Sequence, residues 1–135
     1  MSRFCLDTSA YSQFRRGEPQ VVAHIDRAEW IGVPSVVLGE LGGGFLSGTQ
    51  ADANETELTE FLAHPVVEIV PLDASVARIY GEIFADLRAR GHPLPTNDLW
   101  VAAAAIRSGA AVLTFDTHFA ALPRVGVLVV TAVVR

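Results

Sequence analysis

The sequence has no lysine, a single cysteine, and no apolar run approaching the roughly 20 residues needed to cross a bilayer. Each shortage excludes something. Cys5 has no partner for a disulfide within the chain, which agrees with a reducing compartment and a role as a small buried hydrophobe. Met1-Ser2-Arg3-Phe4-Cys5-Leu6-Asp7 offers one basic residue and a short apolar run broken by aspartate, not the layout of a secretory signal. The expectation is a cytoplasmic protein with no membrane partner. Positive charge is also scarce, with 10 arginines against 15 acidic residues and a net charge of -5, so bulk charge gives no sign of nucleic-acid binding. That objection weakens if the carboxylates gather in one metal site. Hydrophobic residues, by contrast, make up 50% of the 135 residues and mean hydropathy is +0.35, enough for the core of one domain over 1–135 with apolar surface left for a partner.

Periodicity organises the chain as alternating strands and helices. Arg3–Leu6 reads as a strand ending at Asp7, and Thr8-Ser9-Ala10 opens a helix to about Arg16, where Gly17 interrupts it. Pro19 starts a second helical piece with Val21, Val22 and Ile25 at helical spacing. Trp30–Val33 follows as a strand, and Pro34-Ser35 enters a helix that carries Glu40. Residues 51–63 form an amphipathic helix with Leu58, Phe61 and Leu62 on one face and Glu55, Glu57 and Glu60 solvated. Val66–Val70 is a third strand, and Asp73 caps a long helix ending near Gly91. Thr96-Asn97-Asp98 opens an alanine-rich helix through about Arg107, closed by Ser108-Gly109. Ala111–Phe115 is a fourth strand leading to Asp116, a turn surrounds Phe119, and Val125–Val134 supplies a last strand. Such alternation predicts a three-layer α/β/α domain with a mostly parallel central sheet, because parallel strands need helical crossovers.

Four acids stand where this scheme gives them a use. In open α/β sheets ligands bind beyond the carboxyl ends of the strands, and Asp7 and Asp116 both follow a predicted strand. Asp98 falls in the first turn of a helix. Glu40 sits in Val36-Val37-Leu38-Gly39-Glu40-Leu41, an otherwise apolar segment, so its carboxylate is expected to face a covered region. Carboxylates about 5 Å apart repel by roughly 3 kcal/mol per pair at an effective dielectric of 20, and a divalent cation relieves this. All-oxygen ligands favour magnesium or manganese over zinc, and no Cys or His pair has zinc spacing. Such an ion suits phosphodiester hydrolysis. Each acid also has a plainer reading: Asp7 as a helix cap, Asp98 as a complement to a helix dipole, Asp116 as a turn former, Glu40 as the partner of an arginine.

Four segments resemble the signature blocks of PIN-domain ribonucleases, and most of all VapC-type toxins of toxin–antitoxin pairs. They are Leu6-Asp7-Thr8-Ser9, Pro34-Ser35-Val36-Val37-Leu38-Gly39-Glu40-Leu41, Asn97-Asp98-Leu99-Trp100-Val101-Ala102-Ala103 and Leu113-Thr114-Phe115-Asp116-Thr117-His118-Phe119, in the family's order over nearly the whole chain. The resemblance implies a PIN fold, magnesium- or manganese-dependent endoribonuclease activity, an RNA substrate and a cognate antitoxin. It makes Asp7, Glu40, Asp98 and Asp116 the catalytic, metal-binding carboxylates and Thr114 a hydroxyl that supports them. One position departs from the pattern: His118 stands where relatives often carry another acid, so the number of metals is open, and the histidine either touches a phosphate or fills a turn. Gly42-Gly43-Gly44 after Glu40 predicts a helix that ends early or flexes, since glycine costs about 1 kcal/mol per helical position relative to alanine.

RNA contact needs local positive charge, for which Arg15 and Arg16 are the first candidates and Arg88 and Arg90 the second. Trp30, Phe45, Leu46 and Trp100 can serve an antitoxin groove, a homodimer face, or simply the core. Two rival readings follow from the same residues. An aspartate-based phosphatase usually shows a second aspartate two positions after the first and a late lysine; here Ser9 holds that position and lysine is absent. A catalytically silent PIN-like scaffold would not need all four carboxylates.

Overall fold

The computed structural model describes residues 2–116, 119 and 122 and the backbone of 127–129. Each predicted strand and helix forms there: β1 (Arg3–Leu6), α1 (Thr8–Arg15), α2 (Pro19–Arg27), β2 (Trp30–Pro34), α3 (Ser35–Leu46), α4 (Ala51–Leu62), β3 (Val67–Val70), α5 (Ala74–Ala89), α6 (Thr96–Ser108), β4 (Ala111–Thr114) and β5 (Val127–Val129). The remainder of the predicted last strand lies outside the described residues, and of the turn around Phe119 only Phe119 itself, buried, and Leu122 lie within them.

All four strand pairings are parallel, in the order β3-β2-β1-β4-β5. The chain first builds outward from β1 to β2 and β3, then crosses back to β4 and β5. Strand order therefore reverses between β1 and β4, which makes their carboxyl ends the switch point where such sheets leave a crevice. Right-handed crossovers send α1 to α4 over one face and α5 and α6 over the other, giving the three layers. The middles of the central strands are apolar, with Phe4, Cys5, Leu6, Val112 and Leu113 all buried, as both-side coverage demands. Truncating Leu6 or Leu113 to alanine would cost about 2–5 kcal/mol. At the edge, β3 exposes Glu68 and Ile69 and buries only Val67 and Val70.

Helix α6 lies against β1, β2 and β4, and its small side chains, Ala102 to Ala105, are fully buried. It ends where Gly109 takes φ 63, a conformation that suits glycine. The Ser108 carbonyl there accepts a 2.9 Å hydrogen bond from the Arg3 guanidinium at the start of β1. The helix consequently runs antiparallel to the strands, and its first turn, with Asp98, stands toward their carboxyl ends.

Two expectations are corrected. Glu40 is exposed: Val37 and Leu41 take the buried line of α3, and Val36, one turn before Glu40, is itself only half-buried. Gly42, Gly43 and Gly44 do not end the helix, which continues to Leu46 because Leu41 and Phe45 anchor it to the core. Trp30, a candidate partner contact, is used within the fold: Arg3 lies over its ring at 4.4 Å, and the ring covers Gly32 so closely that a Cβ there would stand 2.4 Å from it. Trp100 stacks on Tyr80 at 4.1 Å, whereas Leu46 is 82% exposed.

Candidate active site

Asp7 leaves the end of β1 and caps α1, with φ -86 and ψ 176. Its Oδ1 accepts from the Ala10 backbone N–H at 2.9 Å and the Ser9 hydroxyl at 2.7 Å, and its Oδ2 accepts from the Thr114 hydroxyl. Thr114 is the last residue of β4 and fully buried. Its oxygen in turn accepts from the Asp116 backbone N–H at 2.8 Å, so Asp116 is joined to the Asp7 carboxylate through a single hydroxyl. Ser9 closes the ring by accepting from the Phe115 N–H at 3.0 Å. Each hydroxyl has one proton and gives it to Asp7, so the 3.4 Å approach of Ser9 Oγ to Thr114 Oγ1 is a contact left over from that arrangement.

Burial pushes the Asp7 carboxyl above the ordinary carboxylate range, and the negative charge of Asp116 pushes it further. The hydrogen bonds from Thr114, Ala10 and Ser9 pull the other way without cancelling the effect. Three donors thus fix the orientation of a carboxylate that the fold makes costly to ionise. Cys5, beneath it in β1, is fully buried and its thiol is pushed up to about 12 by burial, so it supplies no nucleophile.

Glu40 reaches this region from α3, where its Oε1 accepts a 2.8 Å hydrogen bond from the hydroxyl of Thr8, the residue after Asp7. Asp98 is half-buried in the first turn of α6, on the strand-end side. The geometry therefore joins Asp7, Thr114 and Asp116 directly, brings Glu40 in through Thr8, and sets Asp98 on the opposite layer facing the same edge. Among the described residues, no three His, Cys, Asp or Glu side chains converge closely enough to form a metal cage. That excludes a closed protein-ligated site there but suits magnesium, which takes one or two carboxylates and keeps several waters. Asp7 and Asp116 lie close enough for the charge of Asp116 to raise the Asp7 carboxyl.

The candidates for RNA contact divide. Arg15 lies at the far end of α1, about 10 Å along the axis from Thr8, and pairs with Glu57 of α4, while Arg16 caps the helix and is exposed. Arg88 is exposed on α5 and Arg90 at its C-terminal cap, where it is held 2.7 Å from Asp86. His118 lies outside the described residues. Sequence reasoning gave no role to Thr8 or Ser9, although a signal existed: Asp7-Thr8-Ser9 and Asp73-Ala74-Ser75 repeat one Asp-x-Ser helix start.

The PIN domain family pattern matches residues 4–125. Ribonuclease VapC4 of Mycobacterium tuberculosis is 35% identical over 102 residues, which is 76% of this chain and 78% of the relative. Ribonuclease VapC5 of the same organism is 32% identical over 118 residues, 87% of this chain and 85% of the relative. Among solved structures, the VapBC-5 toxin–antitoxin complex of M. tuberculosis contains a chain that superposes with a TM-score of 0.74 at 28% identity, covering 96% of this chain and all of that one. With its parallel sheet and these relatives, the chain belongs to the PIN-domain family and, within it, to the VapC ribonucleases.

Proposed function

We propose that this chain is a magnesium-dependent endoribonuclease, with manganese as an alternative ion, and the toxin of a pair whose antitoxin holds it inactive in the cytoplasm. The observation that carries the reading is the Asp7 carboxylate: buried at the switch point, oriented by three donors, and raised first by that burial and further by the charge of Asp116. Capping α1 does not require so buried a carboxylate, and a cation meeting it would offset the cost of keeping it charged there. Asp7 and Asp116 would hold the ion, with Asp98 and Glu40 contributing from the two flanking layers. When bound, the ion would lower the pKa of water, orient a phosphodiester and offset charge on its oxygens.

The chain's own residues divide the remaining work. Thr114 and Ser9 keep both Asp7 oxygens in place, so no reorientation is needed as charge develops. Thr8 holds Glu40 at the rim, where its carboxylate meets solvent and can orient a water. An antitoxin partner is supported by the VapBC-5 complex among the structural relatives, and a homodimer face, suggested by the apolar excess of the sequence, belongs to the same reading.

The test is cleavage of defined structured RNAs by antitoxin-free protein with magnesium, with chelator, and with a folded Asp98→Asn variant. Cleavage that requires the metal and disappears in the variant is the expected result. Equal cleavage by the variant would reject the site, and no cleavage with either magnesium or manganese would favour the silent scaffold.

A further inference from the structure

A cleft of about 340 Å³ opens between α1, α3 and α4, on two of the helices that also carry the acidic residues. The same two helices serve both places: Asp7 caps α1 and Tyr11 follows one turn later, about 6 Å along the axis, while Glu40 and Leu41 are neighbours on α3. Tyr11 lines the cleft and is 2% exposed, yet its hydroxyl has no hydrogen-bond partner among the described residues. It is the one buried side-chain polar atom there left in that state, and native folds rarely leave such groups unpaired without a use.

The charges this phenol feels are those of Arg15, Glu57 and Glu55. Arg15 and Glu57 also line the cleft, and their ion pair bridges α1 to α4 with side chains 39% and 43% exposed. A surface pair of that kind contributes little and is readily exchanged. Arg16 and the Asn54 amide add a second cation and a group that both donates and accepts, and Phe45 supplies an apolar wall.

We propose that this cleft is a subsite for one unpaired nucleotide of the RNA, entering as Arg15 exchanges Glu57 for a phosphate. The proposal rests on the ribonuclease reading and deepens it. The base packs against Phe45, its edge is read by the Tyr11 hydroxyl and the Asn54 amide, and Arg15 and Arg16 meet the backbone. Two cations with an unpaired donor and an amide beside a small apolar wall suit a nucleotide better than an apolar peptide segment.

The experiment measures anisotropy of labelled, unstructured eight-nucleotide RNAs of differing base composition, in chelator so that nothing is cut. Tyr11→Phe should keep its Tm, weaken binding about 3–10-fold for the preferred composition and narrow the preference among compositions. Glu57→Gln should tighten binding about 2–5-fold by releasing Arg15. Glu60→Gln, on the same helix but outside this cleft, controls for bulk charge and should change little. The subsite is overturned by unchanged affinity in both cleft variants, by equal tightening in Glu60→Gln, by no measurable RNA binding, or by an effect of Tyr11→Phe confined to antitoxin affinity. Parallel cleavage assays with magnesium separate the two readings. Cleavage with unshifted binding removes the subsite alone; shifted binding with no cleavage removes the activity alone.

Discussion

Asp7 and Asp73 begin helices with one device and end in opposite electrostatic states. Both cap with extended backbone, φ -86 and -85, and in both Oδ1 accepts from the serine hydroxyl two residues on and from the N–H three residues on. Asp73 is exposed, and its carboxyl is held below the ordinary range, first by the Ser75 hydroxyl and then by the Val76 N–H. Asp7 has an additional donor in Thr114, yet its carboxyl is raised, because burial and Asp116 outweigh all three bonds. Capping alone therefore does not explain Asp7. What separates the two is position: one cap is sunk at the switch point beside a second acid, the other stands at the surface.

The largest expected break in this symmetry is catalytic. Asp7→Asn should lower RNA cleavage on the order of 100-fold or more in a steady-state assay, whereas Asp73→Asn should leave it unchanged. Next comes Thr114→Val, which removes the hydroxyl shared by Asp7 and the Asp116 N–H. It should cost about 1–3 kcal/mol in denaturant melts and about 10–100-fold in cleavage.

The two caps should also titrate with opposite sign. The raised Asp7 carboxyl burdens the fold once ionised, so Asp7→Asn should raise Tm at neutral pH, by about 3–5 °C for each kcal/mol relieved. That gain should close as pH falls through the raised value toward the unfolded one. Asp73, being lowered, stabilises above the unfolded carboxylate value and loses this as pH falls through its folded one. Asp73→Asn should thus lower Tm slightly at neutral pH, with the difference vanishing in acid. Thermal melts from pH 3 to 8 follow both. The smallest expected effect is at Cys5, whose buried thiol, at about 12, should stay unlabelled by a thiol reagent at pH 8 until the protein unfolds, which also checks that each variant is folded.

Much of this was legible in the sequence because period and punctuation agreed. The apolar runs at Phe4–Leu6 and Val112–Leu113 read as buried strands and are buried, and Pro19, Asp73 and Gly109 mark helix ends where the sequence placed them. The failures lie where a tertiary neighbour decides. Glu40 was expected to be covered, but the line buried on α3 runs through Val37 and Leu41, and its polar link is to Thr8, 32 residues away. Glu57 stands on the solvated face that its helix pattern indicates, but its partner there, Arg15 of another helix, is not readable from local spacing. The glycine run of α3 predicts from local propensity a helix that ends early or flexes, and the anchoring of Leu41 and Phe45 carries it on to Leu46. Asp7 combines both kinds of signal: its cap is readable from Asp-x-Ser, whereas its raised carboxyl depends on burial by the whole fold and on Asp116, more than a hundred residues later.

The most direct test of the account is Tm of the wild type and Asp7→Asn with and without magnesium at neutral pH. The variant should be the more stable protein in chelator, and magnesium should raise Tm of the wild type while leaving the variant unmoved. A magnesium shift of equal size in both proteins, or none in either, would contradict the claim that this buried carboxylate is held in place for a cation.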